Sequence, residues 1–428
     1  MKAEKNGIRI ILENDLCISC GACTHICPHG NLEMKMQDSR GKWDAFIKNP
    51  DICWSCGAAS NCLSVCPSYG VNYLELTGSN ENHLLGRIKN VYNGYAEDDQ
   101  LRFAASSGGF IRSLCRTLLE NKKIQGAIAV IHEQGLEYNP HIVTNFGIMP
   151  NSIYHNVNYQ RALDLLQRNS GNYLLIGLPC QITGVELFLR KSGIDLLRKK
   201  LYGKVSLICG YTFDQKNIKA FAYYNDFPLR EVSYREGGRF RKTRLKNNSS
   251  EIMIEAVTSR HFRDLINNMI CFDPFIIQTG CLHCVDHLGY CADLVVGDAW
   301  QKRYTSDSIG TNIIISRTER GEECISQMHS FHFEEGHQGE IIESQSTNYA
   351  LGAIGEGMKH LKLKGQYFTP NPKRTDQSGE IIEYQFRLKD LIKIRVIRKL
   401  LRKERFRMAK WFYMALEIWG PFFRYLKR

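Results

Sequence analysis

The sequence predicts a chain in three unequal parts: a small α+β domain built around cysteines, a larger α/β domain, and a basic helical tail. Three observations carry this reading. Eight cysteines fall in two regularly spaced runs between Cys17 and Cys66. Beyond them, short continuous apolar runs alternate with amphipathic stretches, as expected for a sheet covered on both faces. Finally, fourteen of the 56 Lys and Arg crowd into residues 385–428, against only Asp390, Glu404 and Glu417. Nearly all of the formal net charge of +12 therefore sits in the tail.

At 428 residues the chain exceeds a single compact core. The expected boundaries are 1–80 for the cysteine domain, 85–175 and 176–345 for two halves of the α/β module, 346–384 for a linker and 385–428 for the tail. Met1–Gly7 is polar and no run of eighteen apolar residues occurs, so neither secretion nor a membrane span is expected. The expected location is cytoplasmic, where cysteines stay reduced.

The first cysteine run is Cys17-Ile18-Ser19-Cys20-Gly21-Ala22-Cys23-Thr24-His25-Ile26-Cys27-Pro28. Its C-x2-C-x2-C-x3-C-P spacing is that of bacterial ferredoxins, which hold [4Fe–4S] clusters. The second run, Cys53, Cys56, Cys62 and Cys66 before Pro67, repeats it with a wider middle gap. Three thiolates two residues apart can wrap one face of a cubane, and the fourth, before proline, serves the other cluster. Cys17, Cys20, Cys23 and Cys66 are therefore assigned to one cluster, and Cys53, Cys56, Cys62 and Cys27 to the other. Structural zinc fits less well, since its C-x2-C units lack a third cysteine two residues on. A disulfide framework needs an oxidising compartment. Arg9–Leu12 and Val71–Leu76 are expected as short strands bracketing these loops, and Thr77–Asn82 as a polar linker.

In the α/β part, strands are expected at Gly126–Ile131, Tyr173–Leu178, Val205–Cys209, Leu294–Gly297 and Asn312–Ser316. Helices are expected at Phe110–Glu120, Tyr159–Arg168 and Ile182–Lys191. Ser106-Ser107-Gly108-Gly109 precedes the first of these helices. It reads either as a tight turn and cap or as a place where freed amides meet an anion. Cys180 and Cys209 stand at strand C-terminal ends, where open α/β sheets gather ligands. With Cys281 and Cys284 they make either a third metal site or a set of small buried hydrophobes. Arg235, Arg239 and Arg241 around Gly237-Gly238 read as a solvated loop or an anion clamp. Asp293 and Asp298 read as caps or as groups orienting a ligand.

In order and spacing, these motifs resemble the family of coenzyme F420 hydrogenase and dehydrogenase beta subunits over roughly residues 10–320. The resemblance rests on the double cysteine run, Ser106–Gly109, Gly177-Leu178-Pro179-Cys180-Gln181, Leu207-Ile208-Cys209, Cys281-x-x-Cys284 and Ala292–Asp298. It implies a ferredoxin-like first domain and a flavin-type α/β domain that binds FAD, with Ser107, Gly108 and Gly109 in the flavin segment. It also implies a third [4Fe–4S] cluster on Cys180, Cys209, Cys281 and Cys284. Cys291 lies outside the family pattern and reads as a substitute ligand or a bystander. Members fused to a ferredoxin domain occur in bacteria without the deazaflavin, often linked to polysaccharide synthesis, so the family leaves the substrate open.

The functional expectation is an iron–sulfur flavoprotein oxidoreductase acting on a small-molecule substrate or an F420-like acceptor. The alternative is a non-catalytic relay for a partner enzyme, and a third reading makes the clusters structural. The implied partner is a redox protein, either a ferredoxin or another enzyme subunit. No side chain is singled out as catalytic. In the tail, Leu388, Leu391, Ile392, Val396, Leu400 and Leu401 alternate with basic residues, and Trp411, Phe412, Trp419, Phe422 and Phe423 follow. That pattern suits peripheral contact with an anionic membrane or a helix docked on the body. Nucleic acid is not expected, because no recognition fold accompanies the charge.

Overall fold

The computed structural model describes residues 7–56, 59–78, 85–236, 242–255, 278–304, 306–345, 373–375, 381–383 and 392–416. Its centre is an eight-stranded mixed sheet. The strands are β3 (Asn90–Ala96), β4 (Gly126–Gln134), β5 (Glu137–Val143), β6 (Tyr173–Gly177), β7 (Leu201–Leu207), β11 (Leu294–Asp298), β12 (Asn312–Ser316) and β13 (Phe331–Gly336). They lie side by side in the order β13-β3-β12-β11-β7-β6-β4-β5. The four middle strands β11, β7, β6 and β4 run parallel, and antiparallel strands finish both edges.

Alternation across the pleat divides the apolar strand residues between two cores. Leu174, Ile176, Val296 and Ile314 join Phe110, Leu114 and Leu118 of the helix Phe110–Glu120 on one face. Leu175, Val295, Ile313 and Ile315 join the helices Gln160–Arg168 and Pro179–Ser192 on the other. This is why these strands read as continuous apolar runs. The second core continues without a break into the cysteine region through Ile11, Leu16, Cys20, Ala22, Val65 and Cys66. Polar ties reinforce the junction: Asn156 accepts from the Trp43 amide at 2.7 Å, and the Tyr159 amide donates to Ser19 O at 3.0 Å.

Within the cysteine region the paired strands are β1 (Leu32–Gln37) and β2 (Lys42–Ile47), joined as an antiparallel hairpin. The two expected strands are instead helical, at Arg9–Glu13 and Tyr73–Thr77. In the second, the Asn72 side chain caps the Glu75 amide and Gly78 closes the end in a left-handed conformation, so capping overrides the apolar pattern. Thr77 ends that helix, and residues 79–82 of the expected linker lie outside the described residues.

The other expected elements stand close to their read positions. The helix Phe110–Glu120 and strand β12 keep the same ends, while β7 runs Leu201–Leu207 and leaves Cys209 just beyond it. A second sheet, β8 (Glu231–Glu236), β9 (Lys242–Lys246) and β10 (Glu251–Glu255), forms a meander beside the helix Gln215–Tyr224. A short pair, β14 (Lys373–Thr375) and β15 (Ile381–Glu383), falls in the expected linker. The described tail is a π-helical turn Lys393–Ile397 running into a helix Arg398–Arg402, then a helix Phe406–Met414. It docks on the body: Ile397, Leu401, Ala409 and Tyr413 bury against Phe213, Ile218, Phe221, Tyr234 and Leu245. Leu388, Leu391, Trp419, Phe422 and Phe423 lie outside the described residues.

Candidate functional site: three thiol quartets and a cavity

The two local runs fold so that each assigned quartet gathers. Ser19 and Gly21 take left-handed backbone conformations, and Gly21 caps the short helix Ala22–Ile26 that carries Cys23. A Cβ on Gly21 would stand 2.4 Å from the Gln160 Cα, so only glycine fits between this loop and the body. Cys20, Cys23 and Cys66 are buried and near enough, with Cys17, to bear electrostatically on one another. Burial pushes the Cys17 thiol up to about 12 and drives Cys20 and Cys23 higher still. Such thiols stay neutral unless cationic metal compensates their thiolates.

The second quartet sits nearer the surface. Cys27, Cys53, Cys56 and Cys62 are half-buried and together line a small cavity of about 30 Å³ with Ile8, Leu32 and Ile52. The Asn31 amide donates to Cys27 Sγ and its side-chain Nδ2 to Cys53 Sγ, each at 3.3 Å. Such donors tune a bound cluster. Burial raises Cys62 to about 11. Beside Cys53, Trp54 is 58% exposed and stacks under the Arg9 guanidinium at 3.7 Å.

The third quartet is assembled by the sheet. β6 and β7 are parallel neighbours, so Cys180 in the first turn after β6 comes beside Cys209 just beyond β7. Gln181 fixes the first turn by accepting from the Leu178 amide at 2.8 Å. The short helix Thr279–Leu282 brings Cys281, and Cys284 follows on the turn it closes. All four residues keep some open surface, yet they lie deep enough that burial raises each thiol. Cys180, Cys209 and Cys284 are raised further by their neighbours in the quartet. Cys281 Sγ lies 3.5 Å from the Thr212 amide and 3.7 Å from its hydroxyl. Cys291 is buried, and burial and nearby Asp286 raise it to about 12.

All described cysteines are free thiols, and no three His, Cys, Asp or Glu side chains among the described residues stand close enough to grip one metal ion. The quartets suit a larger body in which each thiolate takes its own iron, which is the arrangement of a cubane. They also lie near enough to bear electrostatically on one another. Cys62 bears on Cys66 and Cys23. Cys20 bears on Cys180, and the Cβ of any residue replacing Gly184 would stand 3.0 Å from Cys20 Sγ.

Cys180, Cys209, Cys281 and Cys284 also line a cavity of about 360 Å³ at the C-terminal ends of the parallel strands. That volume falls within the ~300–1,000 Å³ of small-molecule sites. Ser107 and Gly109 face it too. The Ser107 hydroxyl, however, already donates to Thr311 O at 2.7 Å, and the Phe110 amide donates to Asn312 Oδ1 at 3.1 Å. Gly108 packs so tightly on β3 that a Cβ would stand 2.4 Å from Gly94 O.

Three polar residues of the lining, Arg112, Asp286 and His287, carry no signal in the sequence. Arg112 donates to Met149 O and Asn151 Oδ1. His287 stands with its two ring nitrogens 2.7 Å from Cys209 O and 3.2 Å from Cys284 O. Burial lowers its pKa, and as a neutral ring it donates to only one of them. Asp286 accepts from the Leu288, Gly289 and Tyr290 amides, and burial lifts its carboxyl to about 6. Arg235 is not solvated but pairs with Asp298 at 2.6 Å on the cavity wall; Arg239 and Arg241 lie outside the described residues. Asp293 accepts from the Lys204 amide of β7 and from the hydroxyl of Thr318, the residue that caps the helix Glu319–Ser326.

Similarity to known proteins decides the family. The C-terminal region of the coenzyme F420 hydrogenase/dehydrogenase beta subunit matches residues 170–336, and its N-terminal region matches 91–147. The chain belongs to this family of beta subunits. A 4Fe-4S dicluster domain matches residues 16–70, so this family member carries iron–sulfur sites in its N-terminal part. It is 24% identical over 395 residues to a coenzyme F420-dependent sulfite reductase of Methanocaldococcus jannaschii, covering 87% of this chain but only 53% of that protein. It is 20% identical over 362 residues to a component of the F(420)H(2) dehydrogenase of Methanosarcina mazei, covering 83% and 91%. A Pyrobaculum islandicum ferredoxin is 37% identical over 60 residues, 14% of this chain and 47% of its own. A chain of the F420-reducing [NiFe] hydrogenase complex from Methanosarcina barkeri superposes with a TM-score of 0.49 at 15% identity, over 67% of this chain and 95% of its own. By its family and dicluster matches the chain is related to iron–sulfur oxidoreductase subunits. No helix among its described residues is long and apolar enough to cross a membrane.

Proposed function

We propose that this chain is an electron-relay component of a larger oxidoreductase, with a ferredoxin-like N-terminal domain on a flavin-type α/β domain. Two [4Fe–4S] clusters would be held by Cys53, Cys56, Cys62 and Cys27 and by Cys17, Cys20, Cys23 and Cys66, and a third by Cys180, Cys209, Cys281 and Cys284. FAD would occupy the cavity beside the third, near Ser107, Gly108 and Gly109. The observation that carries the reading is the succession of neighbouring quartets, from a half-exposed set to the cavity wall. When bound, clusters carry single electrons and a flavin exchanges one or two.

The protein's own residues bury the inner thiols, supply donors at Asn31 and Thr212, and leave Trp54 and Ile52 exposed beside the outer quartet for a redox partner. The dehydrogenase component of Methanosarcina mazei, matched over most of both chains, favours the relay over a self-contained enzyme. The enzyme reading keeps one observation: Trp300 and the Arg235–Asp298 pair line the cavity, as a bound small substrate would require. The named relatives are redox proteins, and neither name points to polysaccharide metabolism.

Anaerobically purified chain is expected to hold about twelve irons, four per cubane, with one flavin, and to reduce a partner or dye but no small substrate alone. About eight irons without flavin would remove the third cluster and the cavity's occupant. Turnover of a small substrate by the isolated chain would restore the enzyme. We also propose that the tail's outward face, with Met408, Trp411, Lys399, Lys403, Arg405 and Arg407 turned outward, rests on an anionic membrane from the cytoplasmic side. Co-sedimentation with phosphatidylglycerol vesicles, but not phosphatidylcholine ones, is the expected result.

A further inference from the structure

The tail lies outside every family match, yet it reaches the charged junction between two of the quartets. Lys42 is wholly buried there, with Nζ 2.9 Å from Asp15 and 3.0 Å from Asp44, and it donates to Cys17 O at 3.2 Å. From the tail, Arg402 places Nη1 2.8 Å from Asp15 Oδ2 and Nε 2.6 Å from Asp214 Oδ2. The Thr279 hydroxyl donates to Asp15 Oδ2 at 3.0 Å.

Each partner leads to a cysteine. Asp15 precedes Cys17 by two residues and Thr279 precedes Cys281 by two. Asp214 follows by two the Thr212 that touches Cys281 Sγ. Arg398 adds a second tail cation facing Asp15 and Asp214. Without the tail the junction holds Lys42 and Arg40 against Asp15, Asp44 and Asp214. With Arg398 and Arg402 the cations outnumber the carboxylates.

We propose that the tail is an electrostatic latch: Arg402, acting through Asp15 and Asp214, raises the reduction potential at the Cys17 and Cys281 loops. Reduction adds a negative charge to a cluster, so a buried cation nearby favours the reduced form. The outer quartet, whose nearby cation is Arg9, stands apart from this junction. Arg402 is a positioning and tuning residue and touches no reacting atom. The inference rests on the proposal that these loops hold clusters.

The test is an EPR-monitored redox titration of the anaerobically purified full chain carrying Arg402→Gln, Arg402→Lys or Asp214→Asn, with iron counted in each. Arg402→Gln is expected to lower the reduction equilibrium of at least one inner cluster about tenfold, roughly 59 mV for one electron. Arg402→Lys should stay near the wild type. Asp214→Asn, which removes the countercharge, should shift the same signal upward. Opposite shifts, with the signal of the Cys53 cluster unmoved, are not produced by mere loosening of the tail. Unchanged inner potentials, or an equal shift at the outer cluster, overturn the latch. If Arg402→Gln does not accumulate, an unmoved Asp214→Asn overturns it alone. Wild-type chain without inner iron instead overturns the relay proposal on which the latch depends.

Discussion

The outer quartet, Cys27, Cys53, Cys56 and Cys62, and the cavity quartet, Cys180, Cys209, Cys281 and Cys284, differ in how they are made. The outer one comes from two local loops on short helices and is half-exposed. The cavity quartet comes from three segments over a hundred residues of chain, joined because β6 and β7 lie side by side and the helix Thr279–Leu282 docks beside Thr212. It lies deep in the fold and opens onto the cavity. The difference teaches that a local loop can present a cluster to a partner, whereas a folded sheet is needed to hold one deep beside a cavity.

Removing ligands is the strongest way to test that contrast. Cys180→Ser with Cys284→Ser should cost about four irons and lower the melting temperature of the whole chain, because buried hydroxyls replace ligands at the sheet. Cys53→Ser with Cys56→Ser should cost the same iron while melting stays close to wild type. Iron assay and calorimetry on both double variants check it, and equal melting losses would erase the distinction. Next in size, a hydrophilic iron chelator should strip the outer site at least about tenfold faster than the cavity site, whose open surface faces the cavity instead of the protein's exterior. EPR time courses would read both, and simultaneous loss would break the comparison.

Gly184→Val probes the contact between sites, since its Cβ would stand 3.0 Å from Cys20 Sγ. A destabilisation of about 1–3 kcal/mol is expected from the overpacking, with iron lost from the inner sites and kept at the outer one. Urea unfolding with iron analysis would show it. An effect that emerges only on acidification lies at His155, buried in the cavity wall between the Tyr234 hydroxyl and Leu136 O. Burial lowers its pKa to about 4. The unfolded chain takes up that proton first, so stability is full above pH 6.5 and falls as pH drops toward 4. The slope is about 1.4 kcal/mol per pH unit. His155→Gln should flatten that part of the melting-versus-pH curve, and an unchanged slope would assign it elsewhere.

The same contrast explains what the sequence made legible. Both local cysteine runs could be read because their ligands are a few residues apart. Strand β12 and the helix Phe110–Glu120 could be read because burial on two faces and on one face leaves different patterns. Arg9–Leu12 and Val71–Leu76 misled because a short apolar stretch fits either periodicity, and a cap at Asn72 decided the second. The β1–β2 hairpin was missed although Leu32 and Met34 alternate with exposed Glu33 and Lys35. A lysine buried whole, as Lys42 is, carries no mark in the sequence. Its partners Asp15 and Asp44 acquire meaning only once the tail and the hairpin share a space.

The helix Pro179–Ser192 acts as a ruler. Cys180 opens it, and Gly184, one turn on, lies against Cys20. One turn of α-helix rises about 5.4 Å and is among the stiffest lengths a protein offers. The proposed sites at Cys180 and Cys20 would thus be separated by one rigid turn and a single docking contact, so the gap between them depends on how closely Cys20 seats on Gly184. Electron tunnelling weakens steeply with distance, so loosening at that one contact would slow transfer between the two sites.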